Sequence, residues 1–230
     1  AFMKTKEDAC ELARALVSGA KAAGRKAAAL VTDMNTPLGR AVGNANEVAE
    51  ALDILANPEP VADRADVALS IELSSLMVSL AKEIPLDDAR ALCREKLLDA
   101  SALEKFKAMV IAQGGDLDKF AKLLERPKFK FKIQAMRSGV VSAIDAEKVA
   151  RVAFRLGAGR GKASDTIDPL AGVTLDVQLG DKVSIGSPLA TLEKSGCPDG
   201  LEGAAADLFR AFTISPSGAK IETLVCERIM

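Results

Sequence analysis

Hydrophobic residues in the first half of the chain recur mostly at the spacing of an α-helix. The segment TKEDACELARALVSGAKAAG follows this spacing and ends at Gly24, a residue type that commonly follows a helix C-terminus. Helical spacing then dominates residues 63–115, with a new start at Pro85 and a stop at Gly114–Gly115. We therefore expect the first half to be rich in helices, with one short buried strand in KAAALVTDM.

The pattern changes after ERPK, where apolar and charged residues begin to alternate. Phe129, Phe131 and Ile133 are separated by lysines, which is the period of a β-strand with two different faces. The later pattern predicts a helix over residues 146–156, strands around residues 172–194, a helix near residues 199–212 and a final strand in KIETLVCERI. The chain is therefore predicted to have an α/β fold, with one domain over residues 1–125 and a second over residues 126–230.

A long loop, VTDMNTPLGRAVGN, connects the predicted strand to an amphipathic segment, NEVAEALDIL. Asn44 and Glu47 have the spacing of a helix N-cap and its partner, which predicts a helix over residues 45–55. We expect KAAALV to belong to a parallel sheet, and loops that leave such strands lie at the sheet edge where ligands usually bind. The alternative is a plain connection shaped by the proline and glycines of the loop.

Composition excludes several classes of protein. The chain has 31 lysines and arginines against 32 aspartates and glutamates, so no net charge attracts it to nucleic acid or to a membrane. It has no histidine and four cysteines without a CxxC spacing, which excludes a zinc site, a Cys-His nucleophile and a Ser-His-Asp triad within it. The opening AFMKTKEDACELARAL does not resemble a signal peptide, and no apolar run is long enough to span a bilayer. We expect a soluble protein of the reducing cytoplasm.

The glycine-rich segment LGAGRGK, residues 156–162, has the composition of a phosphate-binding loop. A Walker loop, however, follows a strand and places serine or threonine after its lysine, whereas this segment follows a predicted helix and has Ala163 at that place. Termination of the preceding helix by glycine is the favoured interpretation.

A second glycine motif, GDKVSIGSPLATL, is similar to the hairpin of biotinyl and lipoyl carrier domains. Those carriers need an exposed lysine in a tight hairpin, and the nearest candidates, Lys182 and Lys194, lack that setting. The motif therefore predicts a barrel-sandwich shape rather than a carrier function.

Several segments together resemble the thymidine and pyrimidine-nucleoside phosphorylase family. They are AFMKT, TDMNTPLGRAVGNANEVAEAL, ELSSLMVSLA, SALEKFKAMVIAQGGD and RLGAGRGKASDTIDPLAGVTL. The resemblance implies reversible phosphorolysis of a pyrimidine nucleoside, with phosphate as co-substrate, by a homodimer. It also refines the expected fold, to the C-terminal part of a mixed α/β sheet domain with a helical segment, followed by a small α+β hammerhead domain.

The same resemblance implies roles for four residues. The backbone carbonyls of Leu38 and Ala41 and the carboxylate of Glu50 correspond to ligands of a monovalent cation, potassium. A solvated position on a helix surface is an equally open interpretation of Glu50. Phe2 corresponds to the apolar wall near the 5-substituent of the pyrimidine. No residue of this chain is expected to act as acid, base or nucleophile.

The resemblance has one large departure. In the family, a KxSTGGVGDK-like loop that holds phosphate and the arginine, serine and lysine that hold the pyrimidine all precede AFMKT, and these are absent here. Without such donors, nothing stabilises the charge that grows on the departing base, so this chain alone is expected to be inactive. The expectation is a piece of a longer phosphorylase. The alternative is a non-catalytic binding or interaction module on the same scaffold.

Overall fold

The chain forms two compact units in a computed structural model that describes residues 3–216, 218 and 223–230. The first unit contains the described residues of Ala1–Met34, Leu55–Glu104 and Glu222–Met230, and the second contains those of Asn35–Ile54 and Lys105–Ile221. Both units are discontinuous in sequence, whereas the domain boundary expected at residue 126 is a single point along the chain. That boundary stays a prediction.

The α-helices occur in both halves of the chain, most of them before residue 125. They are α1 Lys6–Ala22, α2 Ala45–Ala56, α3 Ala65–Lys82, α4 Leu86–Leu98, α5 Ser101–Ala112, α6 Leu117–Leu124, α7 Ala146–Ala153 and α8 Leu201–Phe209. The predicted ends are confirmed for α1 and α5, because Gly24 and Gly114 adopt the left-handed conformation, with φ of 72° and 79°. At the other end of α1, the Thr5 hydroxyl accepts a hydrogen bond from the Asp8 N–H at 3.2 Å.

The strands form three antiparallel sheets among the described residues. The strands are β1 Ala29–Thr32, β2 Ala41–Gly43, β3 Phe129–Gln134, β4 Gly139–Ile144, β5 Gly172–Leu175, β6 Lys182–Val183, β7 Pro188–Lys194, β8 Phe212–Ser215 and β9 Val225–Ile229. Their orders are β2-β5-β7-β3, β6-β4-β8 and β1-β9. The expected mixed α/β fold is confirmed.

The strand in KAAALV pairs differently from the expectation. A parallel sheet was predicted, but β1 pairs antiparallel with β9, with Ala29 opposite Ile229 and Leu30 opposite Arg228. The antiparallel neighbour was not predicted, whereas a larger parallel sheet shared with the region before Phe2 stays a prediction. An apolar run of four residues shows that a strand is buried, but it contains no information about a partner at the other end of the chain.

The second unit has a continuous hydrophobic core. Side chains from its two sheets and from α7 and α8 contribute to one buried cluster. The largest of them that are almost fully buried are Leu189, Leu192, Leu208, Val141, Val149, Val152 and Val173. Burial of this kind stabilises the fold by roughly 1.5 to 3 kcal/mol for each large side chain.

The GDKVSIGSPLATL motif takes part in both sheets of this unit. Its first strand, β6, belongs to the three-stranded sheet and its second, β7, to the four-stranded sheet, so the motif is not a two-stranded carrier hairpin. Gly180 and Gly186 provide the left-handed turns, with φ of 94° and 85°. Lys194 donates a hydrogen bond to the Asp199 carbonyl at 3.3 Å.

Candidate functional site

The loop between β1 and α2 contains a short strand. It was expected to connect strand to helix directly, but residues 41–43 form β2, which pairs antiparallel with β5 at the edge of the four-stranded sheet. Ala41 lies opposite Thr174 and Gly43 opposite Gly172. The expectation missed β2 because a strand of three residues is too short for an alternating pattern.

Glu50 binds the main chain at the start of β2. Its Oε1 accepts a hydrogen bond from the Arg40 N–H at 3.0 Å, and its Oε2 accepts one from the Ala41 N–H at 2.9 Å. Hydrogen bonds to a charged acceptor are worth about 1.5 to 3 kcal/mol, more than bonds between neutral groups. The half-buried Glu50 carboxylate therefore fixes the position of β2 relative to α2.

Two neighbouring residues of α2 bind the main chain of β2 and of its partner β5. The Glu47 carboxylate accepts the Gly43 N–H at 2.7 Å. The Asn46 side-chain nitrogen donates to the Val173 carbonyl at 3.2 Å and, more weakly, to the Val42 carbonyl at 3.4 Å. Asn46, Glu47 and Glu50 thus form a row of hydrogen bonds to main-chain atoms, which we call the main-chain contacts of α2.

The predicted start of α2 is confirmed, but the roles of its capping residues differ in detail. Glu47 turns back toward the preceding main chain as a capping partner does, although it reaches Gly43 rather than Asn44. The Asn44 side chain instead donates to the Ala158 carbonyl at 2.7 Å. This bond connects the start of α2 to the segment that follows α7.

Two glycines allow β2, β5 and Asn46 to approach closely. A Cβ atom on Gly43 would lie 2.5 Å from Oδ1 of Asn46 and 2.7 Å from the Ala171 carbonyl oxygen. A Cβ atom on Gly172 would lie 2.6 Å from Nδ2 of Asn46. Because real Cβ atoms do not approach so closely, glycine is required at both positions. This packing explains the GNANE part of the loop motif.

The backbone groups of Arg40 and Ala41 have two different partners at the start of β2. The Leu175 N–H donates to the Arg40 carbonyl at 2.8 Å, so Arg40 is a hydrogen-bonded position of the antiparallel pair. The N–H groups of Arg40 and Ala41 both donate to Glu50, so the regular alternation of backbone groups along a strand is interrupted at the start of β2. The Ala41 N–H is therefore directed to the Glu50 side chain of α2 rather than to β5.

This geometry fits the donor set of the expected cation site in part. The structure brings Ala41 and Glu50 together, and Leu38 lies three residues earlier in the same loop. Two carbonyls and a carboxylate are hard oxygen donors suited to a weakly charged cation. No cluster of three or more acidic or cysteine side chains arranged to hold a metal occurs in the described part of the chain. Potassium binding stays a prediction, and Phe2 lies outside the described residues.

Two backbone N–H groups of the LGAGRGK segment are bound by a carboxylate that follows it in the chain. The Asp165 carboxylate accepts the N–H groups of Gly161 and Lys162 at 3.0 and 2.9 Å. An internal carboxylate therefore occupies the amides that would otherwise face a phosphate. Gly157, with φ of 117°, breaks the helical conformation inside the π-type turn over Phe154–Ala158 that follows α7. These observations support helix termination.

Membrane insertion finds no support in the helices. None of those in the described ranges is both long enough and apolar enough to cross a bilayer.

The four cysteines are free thiols, with Cys10 buried and donating to the Glu227 carboxylate at 3.0 Å. That hydrogen bond and burial raise the pKa of the Cys10 thiol.

Comparisons with known proteins agree with the sequence motifs. A family profile described as the pyrimidine nucleoside phosphorylase C-terminal domain matches residues 140–210. The chain is 44% identical over 196 residues to a pyrimidine-nucleoside phosphorylase of Bacillus subtilis (strain 168), covering 84% of this chain and 44% of that protein. It is 41% identical over 198 residues to a protein of the same name from Staphylococcus haemolyticus (strain JCSC1435), covering 85% of this chain and 45% of that protein.

The chain thus spans a little under half the length of these relatives. The match nevertheless covers most of the chain itself, and the profile match lies within the second compact unit. The chain belongs to the pyrimidine-nucleoside phosphorylase family.

Proposed function

We propose that this chain is part of an enzyme that catalyses phosphorolysis of pyrimidine nucleosides. The reaction consumes the nucleoside and phosphate and gives the free base and a pentose 1-phosphate. The observation that carries the proposal is the 44% identity over 84% of the chain to a protein named pyrimidine-nucleoside phosphorylase. Identity at this level is spread over both compact units and is not confined to one motif.

The test uses the protein encoded by the whole reading frame that contains this chain. It is incubated with uridine or thymidine and phosphate, and base and pentose 1-phosphate are quantified by chromatography. Phosphate-dependent release of both products in equal amounts supports the proposal. Absence of release from a folded protein, under conditions in which a relative is active, would refute it.

We further propose that the 230-residue chain by itself is inactive. No segment similar to KxSTGGVGDK occurs in it. The N–H groups of Ala41 and Gly43 already donate to Glu50 and Glu47, so they do not bind a phosphate dianion. Phosphorolysis depends on positioned donors for phosphate and for the departing base. Base release by the purified chain above a blank would contradict this proposal.

We also propose that Leu38, Ala41 and Glu50 contribute to a potassium site in the complete enzyme. Glu50 supplies a full negative charge directly beside Ala41, whose N–H it accepts at 2.9 Å. Bound potassium would supply positive charge near phosphate and restrict the loop. The residues of this chain hold the loop in position, because Glu50 accepts two adjacent N–H groups.

Glu50→Gln tests this role, with Glu47→Gln as the matched control. Glutamine keeps one acceptor oxygen, so in either variant a carboxylate that binds main-chain N–H groups loses its charge. Turnover of the whole enzyme is measured across a potassium series, with sodium as the comparison ion. We expect Glu50→Gln to lose its potassium dependence and Glu47→Gln to keep it. If both variants change in the same way, the effect comes from the loosened contact and not from the cation.

A homodimer in the cytoplasm is the proposed setting. The first unit exposes apolar helix residues, including Leu16 on α1 and Met77 on α3, which suits a buried subunit interface. Four free cysteines are typical of a reducing compartment. Light scattering of the whole enzyme and cell fractionation test the two statements, and a monomer or a secreted protein would contradict them.

A further inference from the structure

A half-open cavity of about 420 Å³ lies between α7 and the end of α8 in the second unit. This volume is within the range of pockets that bind small molecules. The cavity is separate from the loop that carries Glu50, and no role proposed above uses it. Its principal lining residues are Lys148, Arg151, Phe154, Arg155, Asp207 and Arg210.

The cavity lining is strongly cationic. Lys148, Arg151 and Arg155 follow one another at helical spacing, so they lie along one face of α7 and the turn that continues it. Arg210 faces them from the end of α8. Asp207 is the only acidic side chain among the residues that line this cavity, so four cations oppose one carboxylate. The local balance contrasts with a chain that is almost neutral overall.

Asp207 holds two of the cations in place. Its Oδ2 lies 2.5 Å from Nη2 of Arg155, and its Oδ1 lies 3.0 Å from Nη1 of Arg210. The Arg155 guanidinium holds the pKa of the Asp207 carboxyl below its usual range, so the carboxylate stays charged at neutral pH. One carboxylate shared by two guanidinium groups leaves most of their N–H donors available to a ligand.

The other two cations have partners that an incoming anion can replace. Lys148 pairs with Asp145 at 2.9 Å and Arg151 with Glu147 at 2.6 Å, and neither carboxylate lines the cavity. Both pairs lie within one helix segment and are largely exposed, and such ion pairs are weak in water. Exchange of these partners for a phosphate group therefore costs little.

Phe154 adds a flat apolar surface to the cationic lining. Its side chain is 48% exposed, which is unusual for phenylalanine. It lies against Gly159, where a Cβ atom would be 2.2 Å from Cδ2 of the ring, so the backbone there supports the ring. Aromatic side chains of this kind stack on planar ligands, and nearby guanidinium groups bind phosphate.

We propose that this cavity binds a small phosphorylated molecule that carries a planar ring, the chemical class of a nucleoside monophosphate. The cations of α7 and α8 bind the phosphate, and Phe154 contacts the ring. The site is distinct from the proposed phosphorolysis and does not depend on it, because it is tested by binding alone.

Isothermal titration calorimetry of the 230-residue chain, which is proposed to lack the donors for the phosphorolysis substrates, with uridine 5′-monophosphate, uridine and inorganic phosphate tests the proposal. We expect saturable binding of the monophosphate, binding of phosphate weaker by about tenfold because the ring contact is lost, and no binding of uridine. Affinity for the monophosphate should fall as salt rises. Equal affinity for phosphate and the monophosphate would overturn the role of Phe154, and binding of uridine alone would overturn the role of the cations.

Variants that remove one positive or one negative charge test whether the monophosphate binds in this cavity. Arg151→Gln removes an exposed lining cation and should weaken binding about tenfold, because one charge-assisted contact is lost. Glu147→Gln removes the competing partner of Arg151 and should strengthen binding. Lys182→Gln removes an exposed lysine of the same unit outside the cavity and should leave affinity unchanged. Circular dichroism confirms folding, and Arg151→Gln with wild-type affinity would overturn the proposal.

Discussion

The two compact units differ in what holds them together. In the second unit, large apolar side chains such as Leu189, Leu192 and Leu208 are completely buried in one cluster. In the first unit, Val17 and Val31 are buried, but Leu16 is 64% exposed on α1. The buried hydrophobic cluster consists of residues of the second unit, whereas the buried apolar side chains of the first unit lie outside it.

Charged contacts have a larger role in the first unit. Glu72 of α3 accepts two hydrogen bonds from Arg90 of α4, at 2.9 and 3.0 Å, and pairs with Arg228 of β9 at 2.7 Å. The Glu72 side chain is only 13% exposed. Three elements are therefore connected through one carboxylate, and the loss of a partner would leave a poorly solvated charge.

The largest effect is expected from the core of the second unit. Leu208→Ala should destabilise this unit by about 3 kcal/mol, because it removes a fully buried side chain and leaves a cavity. Leu16→Ala in the first unit should change stability by less than about 0.5 kcal/mol. Hydrogen exchange with mass spectrometry reports on each unit separately, and the absence of tryptophan and tyrosine makes it preferable to intrinsic fluorescence. Similar effects of both variants would contradict the comparison.

An intermediate effect is expected where β2 and β5 approach Asn46. Gly172→Ala should destabilise the second unit by about 1 to 3 kcal/mol, because the added Cβ overlaps the Asn46 side chain and the Val42 carbonyl. Gly203→Ala is the matched control, since an added Cβ on this α8 residue meets nothing within 4 Å. It should stabilise by about 0.5 to 1 kcal/mol through helix propensity. Urea unfolding followed by circular dichroism distinguishes the two signs.

The smallest effect concerns acid. Arg90, followed by Arg228, holds the pKa of the Glu72 carboxyl below its ordinary value of 4.5. A lowered folded-state pKa means that this stability is present above the unfolded-state value and is lost as pH falls through the folded-state value. Glu72→Gln should therefore remove part of the acid sensitivity of the first unit.

Glu193 in the second unit is the matched control for this acid effect. Burial opposes a low pKa there, but Lys130 and Lys128 hold the pKa of the carboxyl below its ordinary value. Glu193→Gln should change the acid response of the second unit alone. Hydrogen exchange between about pH 3 and pH 6, corrected for intrinsic rates, measures both units. An identical response of the first unit in wild type and Glu72→Gln would contradict the assignment.

Local signals in the sequence predicted the ends of the helices. Gly24 and Gly114 adopt the left-handed conformation that follows a helix, and α2 begins after Asn44 as expected. These features depend on a few neighbouring residues, so they can be read from a short window. Strand partners could not be predicted in this way, because β1 and β9 lie at opposite ends of the chain and β2 has only three residues.

The candidate site was predicted in part. The resemblance indicated Glu50, Ala41 and Leu38, but not that Glu50 binds the N–H groups of Arg40 and Ala41. The main-chain contacts of α2 had one signal in the sequence, GNANEVAE. In it a glycine is followed by a helix start that contains Asn46, Glu47 and Glu50. The helical spacing of Lys148, Arg151 and Arg155 was also visible, whereas Arg210 on another helix required the fold.

The main-chain contacts of α2 have a consequence for how the loop can evolve. Their partners are N–H and carbonyl groups, which nearly every amino acid carries, so the side chains of Arg40 and Ala41 do not enter the recognition. The specificity of the contact is encoded on the helix, at Asn46, Glu47 and Glu50. The side chains at positions 40 and 41 can therefore change during evolution while α2 still holds the main chain of the loop in the same place.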